Sequence, residues 1–311
     1  MKRLLGLYCL MLFAFSNVKA QQVILTPKWT AQAQFVGYYV ANKLGFYKEE
    51  GVDLKIQHPS ISESSFSFLE KGRAQVVVMN LSQALIARAT GARVVNIMQT
   101  SQTNSLMLVS YTPFSGVSSL NGKTIAVWNH LSQDLLNKLG HNYNLNVKWL
   151  RFNSGVNLFL SKAVNICLLG SYNEYPQLEE FGANMDSVYV MRFSDYGYDL
   201  PEDGLYVTEE FYNAHPDLVQ KVVKASIRGW KYANEYREKA LDIVMEEVQK
   251  NNIGTNRYHQ RRMLEEVLRL QCQKGAATRT YRLSEEAFER SMKCLFGDDR
   301  RKIMIYKDFV K

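Results

Sequence analysis

Short apolar runs recur along the chain, and several are followed by a stretch whose apolar residues return at helical spacing. QQVILT (21–26), VDLKI (52–56), AQVVVMN (74–80), ARVVNIMQ (92–99) and SLMLVSY (105–111) carry the alternating or continuous apolar pattern of strands. FVGYYVANKLG (35–45), SSFSFLEKGRA (64–74) and LSQALIARATG (81–91) carry the helical pattern, with Gly45, Gly72 and Gly91 as stops. A fresh series begins with KTIAVW (123–128), LSQDLLNKLG (131–140) and VKWLRF (147–152). It continues through VNICLLG, SYNEYPQLEEFG and SVYVMRF to about residue 193. LYVT (205–208) is one more strand, and from Glu209 the pattern is helical, with starts at His215-Pro216-Asp217 and Ser284-Glu285-Glu286.

Strands alternating with helices predict an α/β fold with mostly parallel sheets. The first series, the fresh series and the return predict two lobes with a helical C-terminal tail. One lobe is drawn from residues 22–110 and 205–311 and the other from 111–204, with a ligand held between them.

The first twenty residues stand outside this pattern. Lys2 and Arg3 precede an apolar run from Leu4 to Phe15, and Val18-Lys19-Ala20 offers a small-residue cleavage site. This is the layout of a secretory signal, expected to be cut after Ala20, and the run is short for a membrane span. An uncleaved anchor is the other reading of the same run. Export alters the charge. Lys2, Arg3 and Lys19 supply three of the net +8, leaving +5 for the chain after Ala20. No basic run interleaved with aromatics forms a nucleic-acid stripe, and Arg257, Arg261 and Arg262 alternate with Glu265 and Glu266 as a solvated face does. With 46% hydrophobic and 22% charged residues, the composition is that of a globular chain. Past the signal, Cys167, Cys272 and Cys294 remain. Cys167 in VNICLL reads as a buried small hydrophobe, and Cys272 with Cys294 is a pairing that sequence leaves open.

No phosphate-binding glycine loop, no G-x-S-x-G and no metal-ligand spacing among the five histidines is present. Neither an enzyme nor a cofactor is called for. Candidate ligand groups are the polar and aromatic residues at strand ends, where open α/β sheets bind ligands. They are Trp29, Gln34, Tyr38, Asn80, Ser82, Gln99, Trp128, Asn173, Glu174 and Asp203. The set is rich in amides, hydroxyls and rings and poor in fixed charge, which suits a neutral or weakly basic heteroaromatic solute. An anion would call for Arg or Lys, and none stands out. Structural readings remain beside these: core packing for Trp128, helix capping for Asn80 and Ser82, backbone satisfaction for Gln99. Only one of the adjacent Tyr38 and Tyr39 is expected to face a cleft.

WTAQAQFVGYYVANKLGFYKEEGVDL (29–54) closely resembles the N-terminal signature of the NMT1/THI5-like (SsuA/THI5-like) family. GARVVNIMQTSQTNSLMLVS, SYNEYPQLEEFG, DYGYDLPEDGLYVT and Gly229-Trp230-Lys231-Tyr232-Ala233 follow in the family's order, over roughly residues 23–240. The resemblance implies the two-lobed periplasmic-binding-protein fold (type II). It also implies a monomeric solute-binding component of an ABC importer, partnered by a permease and its ATPase in the inner membrane, many members taking thiamine pyrimidine precursors. Some relatives are pyrimidine-forming enzymes that use pyridoxal phosphate, with a cysteine-rich cluster near the position of DGLYVT, where this chain has no cysteine. Others bind sulfonates or riboflavin-like flavins. The chain departs from the family pattern at Lys162 and Asn165 and in Leu169-Gly170-Ser171, the approach to Tyr172-Asn173-Glu174.

Overall fold

The computed structural model describes residues 22–129, 133–153, 155–272, 278–298 and 303–311; the expected signal segment lies outside them. Two five-stranded sheets form the frame. The first has the order β2-β1-β3-β10-β4, with β1 Gln22–Thr26, β2 Asp53–Ile56, β3 Val76–Asn80, β4 Val94–Gln99 and β10 Asp203–Thr208. The second has the order β7-β6-β8-β5-β9, with β5 Leu106–Ser110, β6 Thr124–Trp128, β7 Lys148–Phe152, β8 Ile166–Gly170 and β9 Tyr189–Arg192. Both sheets are mixed. In each, one strand that receives the chain from the other sheet runs against its neighbours: β10 pairs antiparallel with β3 and β4, and β5 with β8 and β9. The other pairings, β1 with β2 and β3 and β6 with β7 and β8, are parallel, so each sheet keeps a single prevailing direction.

The sequence reading puts β5 in the first lobe, ending at residue 110. Its hydrogen bonds put it in the second sheet, so the first crossing spans 100–105. The apolar run SLMLVSY has no local mark that tells which sheet it joins. The second crossing spans 193–202. The crossings are bonded to each other: Asn104 N donates to Asp199 Oδ1 (2.8 Å) and Ser105 N to Glu202 Oε1 (3.1 Å).

Alternation along the strands sorts side chains into three cores. Helices Val36–Lys43, Pro216–Glu235, Arg237–Lys250 and Arg257–Leu270 cover one face of the first sheet and bury Trp230, Tyr38, Tyr39 and Tyr47. The other face of that sheet, through Val77 and Met79, is continuous with one face of the second sheet, through Leu106, Leu108, Ile125 and Ile166. Phe288 and Phe309 of the C-terminal tail fill this shared core. Met107, Val109, Ala126 and Cys167 point to the far face of the second sheet.

Helix starts follow the local chemistry. Ser284 Oγ accepts from Ala287 N and Asn256 Oδ1 from His259 N, while Pro216 opens its helix at the first position. The helical run from Pro216 breaks at Tyr236 into two helices. Cys167, Cys272 and Cys294 are all free thiols, so the pairing left open for Cys272 and Cys294 is not made. No helix among the described residues is long and apolar enough to cross a membrane.

Candidate functional site

The strand ends meet where the two crossings pass between the sheets, and a polar network occupies that place. On the first-lobe side, Gln32 Nε2 donates to Gln34 Oε1 (2.6 Å), and Gln34 Nε2 donates to Asp203 Oδ2 (2.6 Å). The other carboxylate oxygen of Asp203 pairs with Lys28 Nζ (2.6 Å), and Lys28 also donates to Asn80 Oδ1 (2.6 Å). Asn80 precedes the helix Leu81–Ala89, where Gln83 Oε1 accepts from its backbone N–H. It thus combines a cap position with a place in the network. On the crossings, the Glu202 carboxylate takes Ser105 Oγ (2.8 and 2.9 Å).

The second lobe contributes Tyr172, Asn173 and Glu174 just after β8. Glu174 Oε2 accepts from Gly170 N (3.1 Å), and Glu174 Oε1 accepts from Asn173 Nδ2 (2.9 Å). Tyr172 packs against the apolar core of the first lobe. A Cβ built on Gly170 would stand 3.2 Å from Glu174 Oε2, 3.7 Å from Ser105 Oγ and 3.8 Å from Trp128 Cη2. The glycine therefore marks the point on which the indole, the carboxylate and the crossing strand converge. The Trp128 indole N–H is buried without a hydrogen-bond partner.

Electrostatics distinguish these groups. Desolvation raises the Glu174 carboxyl to about 7, against the opposing hydrogen bonds from Gly170 and Asn173. Burial also raises Glu202, with Asp203 adding to the rise and Lys28 and Ser105 working against it. For Lys28, burial pulls the pKa down, but Asp203, Glu202 and Glu174 together outweigh it, and the net direction is upward. Lys28 is held as an ammonium.

Lys28 and Glu202 revise the expectation of a site with few fixed charges: one ammonium faces the carboxylates of Asp203, Glu202 and Glu174. Gln34, Asn80, Trp128, Asn173, Glu174 and Asp203 are brought to this place together. Gln99 stands apart in role. Its Nε2 points at the carbonyls of Ser101, Glu202 and Asp203 and its Oε1 accepts from Asn96, so its amide is spent on the backbone of the crossings. Tyr38 is 1% exposed, packed edge-on to Trp230, with its hydroxyl on Thr100 Oγ1 (3.0 Å); it offers packing and not an open ring face. Tyr39 is equally buried, its hydroxyl on His58 Nε2 (3.0 Å). Trp29 is half-buried against the first-lobe core, its carbonyl held by His58 Nδ1. Ser82 is buried in the first turn of its helix.

Two curated relatives are similar in sequence. A riboflavin-binding protein, RibY, of Chloroflexus aurantiacus is 25% identical over 260 residues, 80% of this chain and 72% of that protein. A formylaminopyrimidine-binding protein of Halalkalibacterium halodurans is 21% identical over 230 residues, 70% of this chain and 68% of that protein. Among solved structures, the periplasmic aliphatic sulphonate-binding protein SsuA of Escherichia coli superposes with a TM-score of 0.64 at 12% identity, over 91% of this chain and 88% of that one. Residues 32–240, from Gln32 through the Tyr172-Asn173-Glu174 segment and the Gly229-Trp230 helix, match the NMT1/THI5-like family, and the chain belongs to it.

Proposed function

We propose that the chain is an exported solute-binding protein of an ABC importer that captures a thiamine pyrimidine precursor, a hydroxymethyl- or formylamino-pyrimidine, between its lobes. The signal segment at residues 1–20 directs it to the periplasm, where it works as a monomer and hands the solute to the permease and ATPase. The observation that carries the reading is Glu174: a carboxyl raised to about 7 beside the Trp128 indole at the foot of β8. An aminopyrimidine presents a ring nitrogen next to an exocyclic amine. A carboxyl that titrates near neutrality bonds that edge in either of two proton arrangements, carboxylate to protonated ring or acid to neutral ring, with unchanged heavy-atom geometry. Trp128 gives the ring an apolar face. Asp203, Asn80 and Gln34 read the substituent.

Charge supports the same class. A sulfonate would meet Glu174, Glu202 and Asp203 with Lys28 already paired. A lysine that forms an imine must present a neutral amine, and Lys28 is held in the other state; this favours binding over pyridoxal-dependent catalysis. A riboflavin-like solute is the second reading, favoured by the likeness to RibY.

Isothermal titration with hydroxymethyl-pyrimidine, formylamino-pyrimidine, riboflavin and an alkanesulfonate tests this. A pyrimidine binds, and Glu174→Ala weakens it about 10- to 100-fold, the worth of hydrogen bonds to a charged group. Binding of the sulfonate alone overturns the class, and binding of riboflavin alone selects the second reading.

A further inference from the structure

The helix Arg257–Leu270 packs on the first lobe, against Arg237–Lys250 and the turn Ala33–Phe35. Its side chains nevertheless reach the second lobe. Arg262 pairs with Glu179 (2.6 Å), and Ser171 donates to Glu266. One turn before Arg262 on the same helix lies His259, 5% exposed. Its Nδ1 is 3.0 Å from Glu180 Oε1 and its Nε2 is 3.0 Å from Asn173 Oδ1. The Gln177 amide nitrogen stands at 3.5 Å from Nε2, too long to be the preferred partner. Both ring nitrogens therefore face oxygen acceptors. Of the two contacts, an N–H at Nε2 donated to the Asn173 oxygen is the one that orients the amide.

Asn173 turns this contact into a relay. Its amide has one accepting end and one donating end. The oxygen faces His259 Nε2 and also accepts from Gln177 Nε2 (3.2 Å), so the amine is directed at Glu174 Oε1 (2.9 Å). Reversing the amide would set its oxygen against the Glu174 carboxylate and its amine against the ring N–H, two repulsions in place of two bonds. An unbroken line of hydrogen bonds thus runs from Glu180 through His259 and Asn173 to Glu174, leaving the second lobe for His259 of the first and returning to it.

We propose that His259 is a positioning residue that fixes the Asn173 amide, so that Glu174 receives its side-chain donor only while the helix Arg257–Leu270 is in contact with the second lobe. The proposal rests on the reading of Glu174 as the carboxyl that meets the solute, and adds that lobe contact sets the proton affinity of that carboxyl. Parting the lobes breaks the His259 contacts, frees the amide to turn and removes a donor that favours the ionised form. The other charges around the ring are already paired: Arg262 with Glu179, Glu266 with Arg269, and Arg261 with Glu238 on the outer face.

The test is a carbon-detected NMR titration of the Glu174 side-chain carboxyl in the ligand-free full chain, assigned with Glu174→Gln. The wild-type midpoint lies at about 7. His259→Phe moves it up by about one unit, the worth of a lost hydrogen bond to a charged group. His259→Gln, whose amine replaces the Nε2 donor, stays near the wild type. Arg262→Ala cuts the neighbouring bridge without touching the relay and leaves the midpoint unmoved. Should His259→Phe not fold, Glu180→Gln moves the midpoint in the same direction by less. An unmoved midpoint in the His259 or Glu180 variant overturns the proposal, and so does an equal shift in Arg262→Ala. No ligand enters these measurements, so a failed pyrimidine titration with an intact relay response overturns the ligand alone.

Discussion

A carboxyl that titrates at about 7 in the fold and at 4.5 in its ordinary state makes stability depend on pH. Between those values the unfolded chain has released the proton and the native chain still holds it. Stability therefore falls as pH rises through this window, by about 3 kcal/mol for a shift of this size. Glutamine at 174 keeps the shape and cannot ionise. Urea unfolding of the ligand-free chain should show Glu174→Gln near the wild type at pH 5 and more stable by about 3 kcal/mol at pH 8. A difference that stays flat from pH 5 to 8 would sink the assignment of a buried, desolvated carboxyl. Glu174 and Asp203 were legible in the sequence because each lies at a strand end. Lys28 and Glu202 were not read as site residues, although Lys28 also follows a strand. What singles out Lys28 is its partner Asp203, which only the return of the chain in β10 brings within 2.6 Å. Gln99 shows the converse. An amide at a strand end looks like a ligand group until the crossings supply carbonyls that absorb its hydrogens.

At the scale of elements, the helices Val36–Lys43 and Pro216–Glu235 approach each other closely. A Cβ on Gly229 would overlap the carbonyl oxygen of Gly37 and press on Ala41, and a Cβ on Gly37 would overlap the Trp230 indole. The two glycines let the backbones touch, and Trp230 folds over the crossing at 1% exposure. Gly229→Ala must push the helices apart, and overpacking of this kind costs about 1–3 kcal/mol or more. Chemical denaturation should show that loss with an unchanged m-value, and a neutral Gly229→Ala would mean that the helices are not held at this distance. The sequence marks Gly229-Trp230 only as a motif within an amphipathic helix. Its reason lies in a partner near the other end of the chain. The elements themselves were legible, since period-two and helical spacing are local. Strand β5 reads from its sequence as part of the first lobe because sheet membership is set by hydrogen bonds to β8 and β9 and leaves no mark on the strand's own apolar pattern.

The whole molecule has two sheets but not two separate cores. Val77 and Met79 of the first sheet and Leu106, Leu108, Ile125 and Ile166 of the second belong to one apolar cluster. The tail helix Glu285–Phe296 seals it by packing on Leu81–Ala89 of one lobe and Gln133–Asn142 of the other. The last residues return to the first sheet, where Val310 bridges Asn96 and Lys311 N donates to its carbonyl. Phe288, fully buried, touches the rings of Tyr306 and Phe309. Because this core draws on both sheets, neither lobe can unfold without exposing the other's apolar face, and the lobes should melt together. Trp230 reports on the first lobe and Trp149 on the second. Variants that retain one or the other as the sole tryptophan should give the same thermal midpoint. Phe288→Ala removes the plug, costs about 3–5 kcal/mol, and lowers both midpoints. The second lobe, left with the smaller helical cover, should fall further and separate from the first. Midpoints that already differ with Phe288 in place would show that the shared core does not couple the lobes. Midpoints that stay together in Phe288→Ala would assign the coupling to the two crossings, where Asn104 and Ser105 bond Asp199 and Glu202.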